Sequence, residues 1–192
     1  NAEIYGPALF GIGAYDNFAD APDVDESYDW FISYYLDNMK KAEEKTGQRL
    51  LDVLDVHYYT EAMGSCRVTN CDDTSHIDCI KARLQSVRSL DEEGYYENSW
   101  IGKWKKDCLP VLSRVKESID TYYPGTKLSL TEYSFGGGDQ ISGAITEADA
   151  LGTFARNGVY LATLWDDGEY QLSAISLYTN YDKNGAKFGD TL

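Results

Sequence analysis

No stretch of the 192 residues approaches the ~20 consecutive apolar side chains that a membrane-spanning helix needs, so no membrane partner is expected. Basic residues are scarce. Seventeen Lys and Arg stand against 32 Asp and Glu, a formal charge of -15 whose field repels phosphate backbones, and no nucleic-acid partner is expected. The Walker lysine pattern and GxGxxG are both missing, which makes a phosphate-binding α/β domain the weakest reading of Gly136-Gly137-Gly138. These glycines are read instead as room for a backbone approaching a ligand. There is no Met, basic n-region or apolar h-region at Asn1, so the chain reads as processed or as a piece of something longer. No internal repeat or low-complexity linker interrupts it, and its length suits one core rather than two, giving a single domain over 1–192.

The four cysteines lack paired CxxC spacing. Cys66, Cys71, Cys79 and Cys108 are even in number, which in a secreted chain suggests disulfides with three possible connectivities. Cys66-x4-Cys71-x4-His76-x2-Cys79 also reads as a zinc site, ranked below disulfides and level with free thiols. No cofactor and no metal is expected. The acidic loop 16–25 has oxygens for calcium, but solvated charge is its ordinary explanation.

What is present is a succession of short apolar runs and amphipathic stretches. Residues 4–11 form an apolar run punctuated by Gly6, Pro7 and Gly11, as in a buried strand with a bulge. Apolar residues at helical spacing predict a helix over 26–46, with Gly47 at its C-terminus. The run 50–59 follows at once, so strand, helix and strand with short connections point to a parallel βαβ unit. Period two places Val53, Asp55, His57 and Tyr59 on one face. The polar segment 61–98 holds three cysteines and a short helix around 77–89. A second long helix is predicted over 99–122, with Pro110 forcing a kink or a break. Pro124-Gly125 turns the chain into the strand 127–133. Thr146-x-x-Asp149 reads as a helix start and Asn157-Gly158 as its end. Residues 159–165 form a fourth strand, and a short helix around 173–181 follows.

The run Lys127-Leu-Ser-Leu-Thr-Glu-Tyr133 ends abruptly in a carboxylate, and a buried strand that delivers one acid to a loop is how barrel enzymes present a catalytic group. Glu132 is therefore the candidate nucleophile. His57 and Tyr59 end one parallel strand and Trp165 ends another. Alone, His57 reads as a core histidine; its place beside Tyr59 at a strand end points to a site. Trp100 and Trp104 share one helical face, where they either pack on the core or stack on sugars. The sixteen Tyr and four Trp supply faces of that kind, apolar with a polar handle. Retaining glycoside hydrolysis needs two carboxyl groups about 5–5.5 Å apart. Glu132 supplies one. Glu61 is the best local candidate for the second, although a surface-loop glutamate is its more ordinary explanation, and Asp166 and Asp167 read as solvated turn acids.

The stretches Ile4-Tyr-Gly-Pro-Ala-Leu-Phe-Gly11, Arg49-Leu-Leu-Asp-Val-Leu-Asp-Val-His-Tyr-Tyr59, Tyr123-Pro-Gly-Thr-Lys-Leu-Ser-Leu-Thr-Glu-Tyr133, Ile141-Ser-Gly-Ala144 and Phe188-Gly-Asp-Thr191 together resemble glycoside hydrolase family 44, endo-β-1,4-glucanases often active on xyloglucan. The resemblance implies an α/β fold, a (β/α)8 TIM barrel of which this chain covers about four βα units, strands five to eight. It implies that Glu132 is the nucleophile, that Tyr59 of the His57-x-Tyr59 pair orients it, that Trp165 lies under the sugar, and that Trp100 and Trp104 are cleft aromatics. The acid/base glutamate of such enzymes follows an Asn on the fourth strand, before Asn1 here, and their β-sandwich is also absent. The cysteine-bearing loop has no counterpart in the resemblance. The expected function is part of a secreted, extracellular retaining endo-β-1,4-glucanase. The alternative is a non-catalytic half-barrel that binds β-glucan through its aromatics. An open half-barrel exposes unpaired strand edges, so it is expected to pair with the missing N-terminal half or with a second copy of itself.

Overall fold

The computed structural model describes residues 2–165 and 168–186. Asp166, Asp167 and the Phe188-Gly-Asp-Thr191 motif lie outside them.

The apolar runs form four parallel strands: β1 (Tyr5–Leu9), β2 (Val53–Tyr59), β3 (Lys127–Ser134) and β4 (Leu161–Leu164). They pair in chain order, each hydrogen-bonded to the next. Parallel neighbours need a crossover, and helices supply each one. Helices α1 (Ile12–Asn17) and α2 (Phe31–Thr46) link β1 to β2. Helices α3 (Ile77–Ser86), α4 (Trp100–Trp104) and α5 (Val111–Tyr122) link β2 to β3, α6 (Ile141–Arg156) links β3 to β4, and α7 (Glu169–Thr179) follows. A sheet wound in sequential order is a continuous arc of a (β/α)8 barrel, as expected. The core lies between strands and helices: Leu54, Val56 and Tyr58 of β2 and Leu128, Leu130 and Tyr133 of β3 meet Ile32 and Leu36 of α2 and Val111, Leu112 and Val115 of α5. Each such aliphatic side chain contributes about 1.5–3 kcal/mol by leaving water.

Several helix boundaries depart from the expectations, each for a local reason. Helix α2 begins at Phe31, five residues late, because Asp25 ties residues 25–28 into a turn: its Oδ1 accepts from the Ser27 amide at 2.9 Å and its carbonyl from the Tyr28 amide at 3.2 Å. The expected helix 99–122 is two. Pro110, extended and without an amide hydrogen, is the N-cap of α5, while α4 is a single turn capped by Ser99 Oγ, which accepts from the Gly102 amide at 3.2 Å. Helix α6 starts at Ile141, not at Thr146. Its cap comes from afar, since the Ser142 amide donates to Asp73 Oδ2 at 3.1 Å. Helix α1, six residues between Gly11 and Phe18, carries no periodic signal of its own, yet buries Ile12, Ala14 and Tyr15.

The cysteines form one disulfide, Cys66–Cys71, and not the two that an even number suggested. Cys79 and Cys108 are free and buried. Burial pushes the Cys108 thiol up to about 12, which leaves it protonated and inert.

Candidate active site

The polar side chains gather where β2 and β3 end. Simple alternation along β3 would put Glu132 on the same face as Leu128 and Leu130, towards the helices. The pairing with β2 slips by one residue instead: Val56 lies opposite Leu130, but His57 lies opposite Glu132. Thr131 is the extra residue of this bulge, and it re-aims everything beyond it. Ser129 and Thr131 face Asp55, and after the bulge Glu132 joins them on that face. Tyr133 turns back into the core, where its hydroxyl donates to Glu147.

Glu132 Oε2 accepts from the Tyr59 hydroxyl at 2.8 Å and lies 3.3 Å from His57 Nδ1. Burial, and then the bond to Glu132, hold the Tyr59 phenol far above its ordinary pKa, so it stays a donor at any working pH. A chain of contacts continues on the other side of the imidazole. Thr131 Oγ1 gives its single hydrogen to Asp55 Oδ2 at 2.6 Å, so at 3.2 Å it accepts from His57 Nε2–H. Asp55 is buried and also accepts from Ser129 Oγ at 2.8 Å and from the Thr131 amide at 3.1 Å. The Tyr15 hydroxyl donates to the His57 carbonyl. The histidine ring is thus fixed from two sides, with Nδ1 turned to the carboxylate. Glu132 keeps a side-chain exposure of 31%, enough to meet a ligand.

An open cleft of about 680 Å3 runs past this cluster, lined by Tyr59, Ser134, Gly136 and Trp165 together with Arg67 and Thr69. Trp165 is 66% exposed and presents its ring there. A smaller cavity of about 250 Å3 adjoins it, sharing Tyr59 and Arg67 and adding Glu61, Phe10 and Trp100. The structure therefore brings together Glu132, His57 and Tyr59, sets Trp165 on one flank and places Trp100 on the other. Trp104, one turn beyond Trp100, lines neither cavity and is 68% exposed beside the Lys103 ammonium. Glu61 is engaged by Arg67 at 2.7 Å.

Arg67 and Thr69 were not legible as site residues. They sit in the long polar segment, without periodicity, and reach the cleft only because that segment folds over the end of β3. The glycine run explains how. Gly136 and Gly137 both have φ near 70°, and a Cβ on Gly136 would lie 2.5 Å from Thr69 Cα. The space a side chain would take is filled at Gly136 by the chain's own backbone and at Gly137 by the Arg83 guanidinium.

Comparison with known proteins places these features in context. A model of glycoside hydrolase family 44 matches residues 1–62. Endoglucanase A of Paenibacillus lautus is 50% identical over 195 residues, covering 98% of this chain and 28% of that protein. The solved structure of Cel44A, a family 44 endoglucanase from Clostridium thermocellum, superposes with a TM-score of 0.94 at 55% identity, over 98% of this chain and 38% of that one. A Paenibacillus polymyxa family 44 xyloglucanase, solved with xyloglucan, gives 0.93 at 47% identity over the same shares. The chain thus spans well under half the length of these relatives.

Proposed function

The chain belongs to glycoside hydrolase family 44, and from that premise we propose that residues 1–192 are the nucleophile-bearing half of a catalytic barrel in a secreted, retaining endo-β-1,4-glucanase. The observation that carries the reading is the Tyr59 hydroxyl on Glu132 Oε2 at 2.8 Å, with His57 Nδ1 at 3.3 Å. The Tyr59 hydroxyl holds one oxygen of the carboxylate beside the His57 ring and leaves the other to attack. Glu132 adds to the anomeric carbon of a β-linked glucosyl unit, while a carboxylic acid from the other half-barrel protonates the departing oxygen. Water, deprotonated by that second residue, then releases the sugar with its configuration retained. Glu61, just beyond β2, is the local candidate for the acid, but its ion pair with Arg67 at 2.7 Å argues for a structural use.

Cellulose-type β-glucans and xyloglucan are the proposed substrates. The xyloglucan-bound relative supports this choice, as do the exposed rings of Trp100 and Trp165 along the cleft. The partner of the half-barrel is the rest of the enzyme, or in its absence a second copy. Leu161 on β4, Tyr5 on β1 and Tyr170, Leu172 and Leu177 on α7 are all exposed, as surfaces awaiting cover would be. A cleanly monomeric 192-residue species that melts cooperatively in dilute solution overturns that pairing.

The test is reducing-end release from carboxymethyl-cellulose and xyloglucan by the intact enzyme, beside Glu132→Gln. Loss of turnover with glucan retention unchanged is expected. Retention by both proteins with turnover in neither supports the alternative, a half-barrel that binds β-glucan without cleaving it.

A further inference from the structure

The loop between β2 and α3 carries a cluster that the proposed hydrolysis does not use. Donor atoms of Cys66, His76 and Cys79 all lie within 4.8 Å of one another. Cys71 stands outside that group but is bonded to Cys66, and so supplies a fourth donor within reach. The bridge satisfies two sulfurs only. The third, Cys79 Sγ, is fully buried 3.4 Å from Cys66 Sγ and accepts from the Cys66 amide at 3.3 Å. The same sulfur donates to the Cys66 carbonyl at 3.2 Å, so it is held against the Cys66 backbone from the first turn of the ten-residue α3. His76 is the N-cap of the same helix, and the Ser65 hydroxyl lies 3.1 Å from its Nδ1 and 3.1 Å from Asp78 Oδ1, an outer contact that orients the ring. The backbone is drawn in to match. A Cβ on Gly64 would lie 2.5 Å from the Cys79 nitrogen, so a side chain there would push the cysteines apart.

Two sulfurs and one imidazole that lie together, with the Cys71 sulfur bonded to one of them, can make a soft, four-coordinate donor set, the kind that selects zinc among common divalent ions. We propose that the thiol form of this loop binds one Zn2+ through Cys66, Cys71, Cys79 and His76 as a closed structural site. Entry to that form needs a thiol reductant: two reductant thiols give their electrons and protons to the Cys66–Cys71 bond and leave as a disulfide. Zinc then displaces three protons from the cysteines and takes the neutral imidazole. The metal and the bridge exclude each other, since Cys66 cannot serve both.

The site fastens the cleft wall. Arg67 and Thr69 lie between Cys66 and Cys71 and line the cleft beside Tyr59. Behind them the buried Arg83 of α3 donates to the Cys71 carbonyl at 2.9 Å and pairs with Asp73 at 2.8 Å. Zinc ties the front of this wall to α3 as Arg83 ties the back.

The full-length protein, reduced with a dithiol, freed of it anaerobically, exposed to Zn2+ and desalted, is measured for metal by elemental analysis and for sulfur ligation by the charge-transfer absorption of its Co2+ form. About one zinc per chain is expected in the reduced protein and none in the oxidised. Cys108→Ser keeps the metal, while Cys79→Ser and His76→Ala each bind it at least ~10-fold more weakly. Reduced wild-type protein that carries no more zinc than the oxidised form overturns the proposal, and this measurement requires no variant to fold. A folded Cys79→Ser protein that retains zinc at full strength overturns it as well.

Discussion

Glu132 and Glu97 flank the same strand end, that of β2, and the chain uses them in opposite ways. Glu97 is buried and accepts from every side: Ser99 Oγ at 2.8 Å, Thr60 Oγ1 at 3.0 Å, Ser89 Oγ at 3.2 Å and the Glu61 amide at 3.3 Å. Both oxygens are taken, and the carboxylate pins the turn after β2 to the loop before α4. Glu132 accepts from the Tyr59 hydroxyl on one oxygen, with His57 Nδ1 3.3 Å from that same oxygen, and keeps a third of its surface open. The difference teaches that of two carboxylates at one strand end, the one with an oxygen left unbonded is the one free to meet a ligand. A count of hydrogen bonds alone would have chosen Glu97.

The comparison is broken or sharpened by substituting each side in turn. Glu132→Gln keeps the size and the Tyr59 contact but removes the attacking charge, so turnover by the intact enzyme falls by roughly 10³-fold or more, read as reducing ends per folded molecule. Tyr59→Phe deletes one donor from the same carboxylate. A fall in kcat of about 100-fold with a much smaller change in KM is expected, and an equal rise in KM with kcat intact would show that Tyr59 only binds substrate.

On the other side the effects are on stability. Glu97→Ala strips partners from three hydroxyls and one amide, and urea unfolding should register a loss of about 3 kcal/mol with activity per folded molecule unchanged. The smallest effect is one of pH. Burial raises the Glu97 carboxyl above its ordinary range, against the pull of its donors. The folded state then holds the proton more tightly than the unfolded one. The stability it contributes is complete below the ordinary carboxylate pKa and is lost as pH rises through the raised value. Stability of the wild type relative to Glu97→Gln should therefore decline over that window, and a difference that is flat or grows with pH would contradict the assignment.

Much of the fold was legible from the chain itself. The strands of β2 and β3 are apolar runs bounded by turns, and α2 ends at the expected glycine, where the Gly47 amide donates to the Glu43 carbonyl at 2.7 Å. What failed were boundaries set from a distance. The start of α6 was sought at Thr146, but Thr146 lies inside the helix with its hydroxyl on the Ser142 carbonyl, and the carboxylate that caps the helix is Asp73. The candidate site divides in the same way. Glu132, His57, Tyr59 and Trp165 could be placed at strand ends because strand ends are local features, whereas Arg67 and Thr69 enter the cleft through a loop whose path depends on the buried Arg83 and on the absence of side chains at Gly136 and Gly137.

By itself the amino-acid sequence determined which segments become parallel strands and that a glutamate closes one of them, because hydrophobic periodicity and turn residues act within a few positions of themselves. Only the tertiary structure decided which way that glutamate points. Alternation along β3 sends Glu132 towards the helices; the one-residue slip against β2 at Thr131, held by the Thr131 bonds to Asp55, turns it inward to Tyr59 and His57. A bulge is a property of two paired strands, and no single run of residues contains it.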